Sequence, residues 1–80
     1  MNKQGSIVLQ DVFLNQVRKD RGPVEITLFD GSRLRGVVKG FDMFTIIMDC
    51  DGRQYMVYKH AVMHIIPDRN VMFSAPPRPQ

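Results

Sequence analysis

The chain has 80 residues, of which 44% are hydrophobic and 24% charged, with a formal net charge of +3 and one cysteine. This length accommodates one domain with a small core, and the lone Cys50, interpreted as a small strand residue, excludes an internal disulfide. No apolar run reaches the roughly 20 residues of a membrane span and no signal peptide is recognised, so we expect a cytoplasmic protein without membrane contact. Oligomerisation is the leading explanation for how so short a chain stays folded.

The first predicted element is an amphipathic helix of about three turns, capped by Ser6 and ended by Gly22 and the proline after it. Arg18, Lys19 and Arg21 cluster at its end. One interpretation of this cluster is a solvated last turn that complements the helix dipole, and the other is a contact surface for an anionic partner. The apolar residues that recur at helical spacing are Val8, Leu9, Val12, Phe13 and Val17.

From Val24 onward the hydrophobic pattern has a period of two, which predicts five short antiparallel strands. Asp30-Gly31 and Asp51-Gly52 are two-residue hairpin signals. Gly36 and Gly40 lie within the second strand, where glycine indicates a bend or a close approach of two backbones. The later strands are predicted at residues 33–41, 45–48, 55–59 and 62–66.

One helix that caps five strongly bent strands describes a small barrel, and the leading position of the helix favours an SH3-like barrel over an OB fold. The expected fold class is therefore mainly β with one N-terminal α-helix. The fourth and fifth strands are joined by almost no loop, so they bend apart and leave open edges that a copy of the chain can cover. Residues 1–67 are predicted to form this domain, and the proline-rich residues 68–80 a flexible tail.

The tripeptide Tyr58-Lys59-His60 places an aromatic ring, a cation and an imidazole where the fourth strand ends. A bend at His60 brings Lys59 and His60 to a common edge while Tyr58 packs behind them. Such an edge suits single-stranded nucleic acid, which needs positive charge for its phosphates and flat side chains for its bases. An exposed strand end with ordinary polar residues is the alternative interpretation.

Short motifs in the predicted helix, strands and turns resemble those of a known family. They are Leu9-Gln10-Asp11, Phe13-Leu14-Asn15, Asp30-Gly31 with Leu34-Arg35-Gly36, Gly40-Phe41-Asp42-Met43-Phe44-Thr45, and Tyr58-Lys59-His60-Ala61. Over about residues 8 to 67 the chain resembles Hfq, the bacterial branch of the Sm and Sm-like RNA-binding proteins. The resemblance implies an Sm-like fold and a homohexameric ring, closed by pairing the fourth strand of one subunit with the fifth of the next. It also implies an RNA chaperone that acts on small regulatory RNAs and mRNAs.

The resemblance implies that uridine-rich RNA ends bind on a proximal face, where the helices lie. The matching positions are Gln10, Phe44, Lys59 and His60, with Met43 standing where the family usually has an amide. Phe44 offers a ring for stacking, Lys59 and Gln10 can hydrogen-bond a pyrimidine edge, and His60 can donate to sugar or phosphate oxygens. Without the resemblance, Phe44 would be interpreted as a core aromatic residue.

On the rim, Arg18, Lys19 and Arg21 match the basic patch through which the family contacts RNA bodies and speeds annealing.

The distal face, which binds adenine-rich RNA in relatives, matches poorly. Thr27, Ser32 and Tyr55 depart from the family pattern. Phe29 lies two positions from Thr27, so stacking is predicted to be relocated to Phe29 and Tyr55, while an ordinary strand position for Tyr55 is the alternative. The matching residues that remain are Gly31, Arg33 and Leu34.

Other functional classes find little support in the sequence. No nucleophile elbow, phosphate-binding glycine loop or catalytic carboxylate pair is recognised, so an enzyme is not expected. His60 and His64 have no evident third ligand, so neither a metal nor a cofactor is expected. The main alternative is an Sm-type structural ring or adaptor without specific RNA binding, and a DNA-binding barrel is another.

Overall fold

The computed structural model describes residues 9–72. The predicted fold class is confirmed, because one N-terminal helix is followed by five antiparallel strands. The elements are α1 (Leu9–Asp20), β1 (Val24–Leu28), β2 (Arg33–Phe41), β3 (Thr45–Cys50), β4 (Arg53–Tyr58), a 3-10 turn (Lys59–Ala61) and β5 (Val62–Pro67). The predicted helix residues Ser6 and Val8 lie outside the described residues, as do residues 73–80 of the predicted tail.

Helix α1 packs against the sheet through Leu14 and Val17, which are 2% and 3% exposed. The prediction that Leu9 belongs to its apolar face is wrong, because Leu9 is 65% exposed. Leu14 and Val17 are three residues apart and therefore share a helix face, whereas Leu9 lies in the first turn outside that contact. The chain reverses at Arg21, which has a left-handed φ of 58°, one residue before the predicted stop at Gly22.

Strand β2 is the bent element around which the sheet is organised. Its first half pairs with β1, and the pairing with β3 begins at Val37. Gly36 lies at this change of partner, where a Cβ would stand 2.3 Å from the carbonyl oxygen of Asp49. The predicted close approach is therefore confirmed at Gly36. Gly40 has open space around it and follows a register shift that begins at Val38.

The core is small and apolar, and none of its members in residues 9–72 is polar or charged. Helix α1 contributes two residues and strands β1 to β4 the rest, so that burial of one cluster fixes the helix to the sheet. The buried residues are Leu14, Val17, Val24, Ile26, Val38, Ile46, Met48 and Val57.

The two hairpin signals differ in outcome. Asp51-Gly52 is a two-residue turn as predicted, with φ of 56° and 82°. Asp30-Gly31 is not, because the connection between β1 and β2 has four residues, closed by a 2.8 Å hydrogen bond from the Leu28 N–H to the Ser32 carbonyl. The strands flanking Asp51-Gly52 are two residues longer toward the turn than predicted, since polar residues such as Asp49 and Arg53 interrupt the apolar alternation there. Cys50 is a strand residue, as expected, and burial raises the pKa of its thiol.

The order of strands is β4-β3-β2-β1-β5, so β4 and β5 form the two edges of the sheet. This confirms the prediction that the fourth and fifth strands bend apart. The 3-10 turn between them sends the chain from one edge to the other. Apolar side chains are exposed on both edges, with Met56 and Tyr58 on β4 and Met63 and Ile66 on β5.

Residues 68–72 follow β5 and lie against the domain. The Asp68 N–H donates to the Pro23 carbonyl at 3.0 Å, the Asp68 carboxylate pairs with Arg35, and Val71 packs against the core. A flexible tail beyond this segment stays a prediction.

Among residues 9–72, no helix combines the length and apolarity needed to cross a bilayer.

Candidate nucleic-acid interface

The turn between β2 and β3 is organised by the carboxylate of Asp42. Its Oδ1 accepts hydrogen bonds from the Phe44 N–H at 3.0 Å, the Thr45 N–H at 2.8 Å and the Thr45 hydroxyl at 2.7 Å. Because the backbone is held in this way, Met43 and Phe44 project from the turn, and Phe44 is 59% exposed. The alternative interpretation of Phe44 as a core aromatic residue is therefore excluded.

Hydrogen bonds from Thr45, first from its hydroxyl and then from its backbone, lower the pKa of Asp42 below its ordinary value of 3.8. The Phe44 N–H and the positive charge of Lys59 act in the same direction. The pKa of Asp42 in the folded state therefore lies below its pKa in the unfolded state. At any pH above the unfolded-state pKa, the carboxylate stabilises the turn fully. Its contribution is lost as the pH falls through the lower, folded-state pKa.

Lys59 connects three segments of the chain: its own 3-10 turn, the β2–β3 turn with the end of β2, and the first turn of α1. Its N–H donates to the Phe44 carbonyl at 2.8 Å, and its ammonium lies 3.9 Å from the Asp11 carboxylate of α1 and 5.4 Å from the centre of the Phe41 ring. The Lys59 side chain is only 13% exposed, so its stem is covered and its ammonium held in place. We call Asp11, Phe41, Asp42, Phe44 and Lys59 the Lys59 cluster.

The predicted arrangement of the tripeptide is partly wrong. Tyr58 is exposed and does not pack behind its neighbours, whereas Lys59 is the covered residue. The reason is that β4 ends at Tyr58 and the 3-10 turn starts at Lys59, so strand alternation does not continue to Lys59 as predicted. His60 is exposed within that turn.

Of the remaining proximal residues, Gln10 and Met43 are exposed and adjoin members of the cluster in sequence. Gln10 precedes Asp11 in the first turn of α1, and Met43 stands between Asp42 and Phe44. The structure therefore places all five predicted proximal residues on the three segments that Lys59 joins. Sequence reasoning did not assign a role to Phe41 or to the Asp42 carboxylate, although both belong to a quoted motif.

The three predicted rim residues are exposed at the end of α1. Arg18, Lys19 and Arg21 line a groove of about 930 Å³ that continues onto β2 at Arg35 and Lys39. The Arg18 guanidinium donates to the Asn15 side chain within the helix. The three cations are thus exposed to solvent, as both interpretations of the cluster predict.

The predicted distal residues are spread over the β1–β2 turn and β4. Gly31 lies in the turn with a φ of 93°, Arg33 pairs with Glu25 at 3.8 Å, and Leu34 packs against the core. Phe29 and Tyr55 are both exposed. Tyr55 lies on β4 and Phe29 directly follows β1, and β3 and β2 separate these two strands in the sheet, so the residues are not cross-strand neighbours.

The prediction that Phe29 shares a strand face with Thr27 is wrong. Strand β1 ends at Leu28, and its pairing with β5 shifts register between Thr27 and Leu28, so strand alternation does not continue to Phe29. In residues 9–72, no group of three or more His, Cys, Asp or Glu side chains could hold a metal ion.

Asp42→Ala should weaken oligouridine binding without removing any side chain proposed to touch RNA, because the turn that orients Phe44 loses three hydrogen bonds. Asp30→Ala is the matched control, since Asp30 holds Ser32 in the other long turn in the same way. Fluorescence titration of labelled hexauridine measures both. Equal affinities for the two variants would contradict a positioning role for Asp42.

Comparison with known families finds that the family described as "Hfq protein" matches residues 9–72 of the chain. A protein of Clostridium kluyveri named "RNA-binding protein Hfq" is 54% identical over 68 residues, which cover 85% of this chain and 83% of the relative. A protein of the same name from Desulforudis audaxviator is 55% identical over 71 residues, covering 89% and 86%. The family match spans all of the described elements.

Among solved structures, the chain is similar to a crystal structure of "the pleiotropic translational regulator, Hfq". The TM-score is 0.72 at 24% sequence identity, and the match covers 74% of this chain and 98% of that one. At this identity the likeness concerns the fold alone. It confirms the predicted Sm-like arrangement of a leading helix and a bent five-stranded sheet.

Proposed function

Because the chain belongs to the Hfq family, we propose that it is a cytoplasmic RNA chaperone that binds uridine-rich single-stranded RNA and promotes pairing of small regulatory RNAs with mRNAs. The curated relatives are named RNA-binding proteins, which supports RNA as the ligand. The observation that carries the proposal for uridine is the Lys59 cluster, in which a backbone hydrogen bond joins the segment of the exposed Phe44 ring to the residue that supplies the cation.

The Phe44 ring supplies the stacking surface. It is exposed, it contributes nothing to the buried core, and the Asp42 hydrogen bonds fix the backbone that carries it. A base that stacks on such a ring gains about 1 to 3 kcal/mol. Stacking alone accepts any base, so uridine selectivity has to come from neighbouring polar groups.

Lys59 supplies a donor for a uracil carbonyl. The 3.9 Å between its ammonium and the Asp11 carboxylate is longer than a hydrogen bond, so the ion pair leaves the ammonium protons available. Position 4 of cytosine carries an amino group, itself a donor, where uracil carries a carbonyl acceptor. A fixed ammonium at this point therefore favours uracil, and the exposed Gln10 and His60 add further partners for the base and its sugar.

We propose that six copies form a ring by pairing β4 of one subunit with β5 of the next. Each of these strands has one edge without a partner in the described chain. Their exposed apolar side chains are Met56, Tyr58, Met63 and Ile66. Edge pairing satisfies the backbone donors and acceptors and covers this apolar surface. The ring repeats the Lys59 cluster in every subunit, so a short oligouridine meets several sites and gains affinity by multivalency.

Arg18, Lys19 and Arg21 support the annealing part of the proposal. They are exposed on the last turn of α1 and just beyond it, where they can screen the repulsion between two RNA strands. For the distal face we propose weaker binding of adenine-rich RNA, with Gly31, Arg33 and Leu34 as contacts. Phe29 and Tyr55, both exposed, are the proposed stacking residues of that face.

Titration of labelled hexauridine, hexacytidine and hexaadenine tests the proposed specificity. We expect hexauridine to bind most tightly, because only uracil presents acceptors to Lys59 at both pyrimidine carbonyl positions. Native mass measurement of the same samples should show a particle of six chains with and without hexauridine. Equal affinity for hexauridine and hexacytidine would contradict base recognition, and an assembled ring that binds none of the three would identify a structural ring instead.

A further inference from the structure

We propose that the groove between the end of α1 and the outward face of β2 binds the phosphodiester backbone of RNA, with Arg35 and Lys39 as phosphate contacts beyond the three rim residues. This inference rests on the proposed RNA-binding function and extends it. An RNA whose end is bound at the Lys59 cluster continues along this groove. Asp68 competes with the RNA phosphate for Arg35.

The strand geometry explains why β2 can present these cations. Leu34 and Val38 face the core, so Arg35 between them faces outward, and Lys39 is exposed beyond the register shift. On the facing wall, α1 ends and the chain reverses at Arg21, so the basic last turn lies beside this stretch of β2. The groove between the two walls has a volume of about 930 Å³.

The charge of the groove identifies the ligand. Five cations and two carboxylates line it, which gives it a net charge equal to the +3 of the whole chain. Asp49 pairs with Val37 of β2, and its carboxylate accepts a hydrogen bond from the Gly52 N–H at 2.9 Å. The five cations outnumber the two carboxylates, so the groove as a whole attracts phosphate. The charged lining residues are Arg18, Lys19, Arg21, Arg35, Lys39, Asp49 and Asp51.

Asp68 holds Arg35 beside the groove. Their side chains are 3.1 Å apart and more than half exposed, and the Asp68 N–H is fixed to the Pro23 carbonyl. An exposed ion pair of this kind is weak, so an RNA phosphate can replace the carboxylate at small cost. The pair thus keeps the Arg35 guanidinium oriented when no RNA is bound and lowers the apparent affinity of the groove.

Two RNA probes separate the groove from the uridine site: free hexauridine, and a hairpin that ends in a 3′ tail of six uridines. Arg35→Gln with Lys39→Gln should weaken binding of the tailed hairpin roughly tenfold at 0.1 M salt. The slope of log affinity against log salt should fall by roughly 0.7 to 0.9 for each lost phosphate contact. Free hexauridine should bind as it does to the unmodified protein. Arg53→Gln is the matched control, because Arg53 is an exposed arginine of β4 that does not line the groove.

Asp68→Asn keeps the backbone hydrogen bond to Pro23 and removes the competing charge. It should tighten binding of the tailed hairpin about two- to threefold and leave hexauridine unchanged. A double variant with the salt slope of the unmodified protein, while hexauridine still binds, would overturn the groove proposal alone. Failure of the unmodified protein to bind hexauridine would overturn the proposed function and the groove with it, and weaker hairpin binding by Asp68→Asn would overturn the competition.

Discussion

Phe44→Ala should weaken hexauridine binding by about 1 to 3 kcal/mol for each base that stacks on the ring. Because Phe44 is exposed and lies outside the core, the variant should fold and assemble like the unmodified chain. Phe29→Ala is the matched control, since Phe29 is similarly exposed but lies in the β1–β2 turn, outside the Lys59 cluster. Titration of labelled hexauridine, with native mass measurement of the same samples, gives affinity and assembly together.

The companion variant is Lys59→Met, which keeps the covered stem and removes the ammonium. A hydrogen bond to a charged group contributes about 1.5 to 3 kcal/mol, so a loss of that order is expected for hexauridine. The loss should be smaller for hexacytidine, because cytosine offers an amino group where uracil offers a carbonyl. If Phe44→Ala and Lys59→Met both assemble and bind hexauridine with unchanged affinity, the Lys59 cluster is not the uridine site.

Gly36→Ala should have the largest effect on stability of any single methyl group added to the sheet. The new Cβ would stand 2.3 Å from the Asp49 carbonyl oxygen and 2.8 Å from the Cys50 sulfur, and the backbone of β3 cannot move away without breaking its pairing. Overpacking typically costs 1 to 3 kcal/mol and occasionally more, and we expect about 3 kcal/mol here. For a domain of this size, that is a large share of the free energy of unfolding.

Gly40→Ala is the control for that prediction, because Gly40 has no atom within 4 Å of the added Cβ and no left-handed φ. Urea denaturation followed by circular dichroism should therefore show a much lower midpoint for Gly36→Ala than for Gly40→Ala. Similar midpoints would show that β2 and β3 do not approach as closely as the structure has them. Similar midpoints would also mean that close contact with β3 at Gly36 is not the reason why β2 changes its pairing partner there.

Much of the fold can be predicted from the sequence because its signals are local. The period-two pattern from Val24 onward, the Asp51-Gly52 turn and the glycine at position 36 each depend on a few neighbouring residues, and each is found as predicted. The signal fails where polar residues interrupt the apolar alternation, as at Asp49 and Arg53, so β3 and β4 are predicted too short on the side of the turn between them. It also fails in α1, where Leu9 fits the period but lies beyond the helix contact that Leu14 makes.

The candidate site is harder to predict because its contacts join distant segments. Asp11, Phe41 and Lys59 are far apart in sequence, and no local pattern shows that the Lys59 ammonium lies between the other two side chains. The exchange of roles between Tyr58 and Lys59 follows from a 3-10 turn that strand alternation does not reveal. The motif that contains Asp42 is visible in the sequence, but its three hydrogen bonds to Phe44 and Thr45 are not.

The 3-10 turn (Lys59–Ala61) links assembly to binding. It sends β4 and β5 to opposite edges of the sheet, which leaves the edges that the proposed ring pairs, and it begins with the residue that organises the Lys59 cluster. Assembly and the uridine site therefore depend on one short segment. This explains why Lys59 variants have to be tested as assembled particles.

Photo-crosslinking of a 4-thiouridine hexanucleotide to the assembled protein, followed by mass spectrometry, reports which side chains lie against the bases. If the Lys59 cluster binds uridine, we expect crosslinks in the segments that contain Phe44 and His60, and their loss in Phe44→Ala. Crosslinks confined to Phe29, Tyr55 and the β1–β2 turn, with none near Phe44, would contradict this proposal.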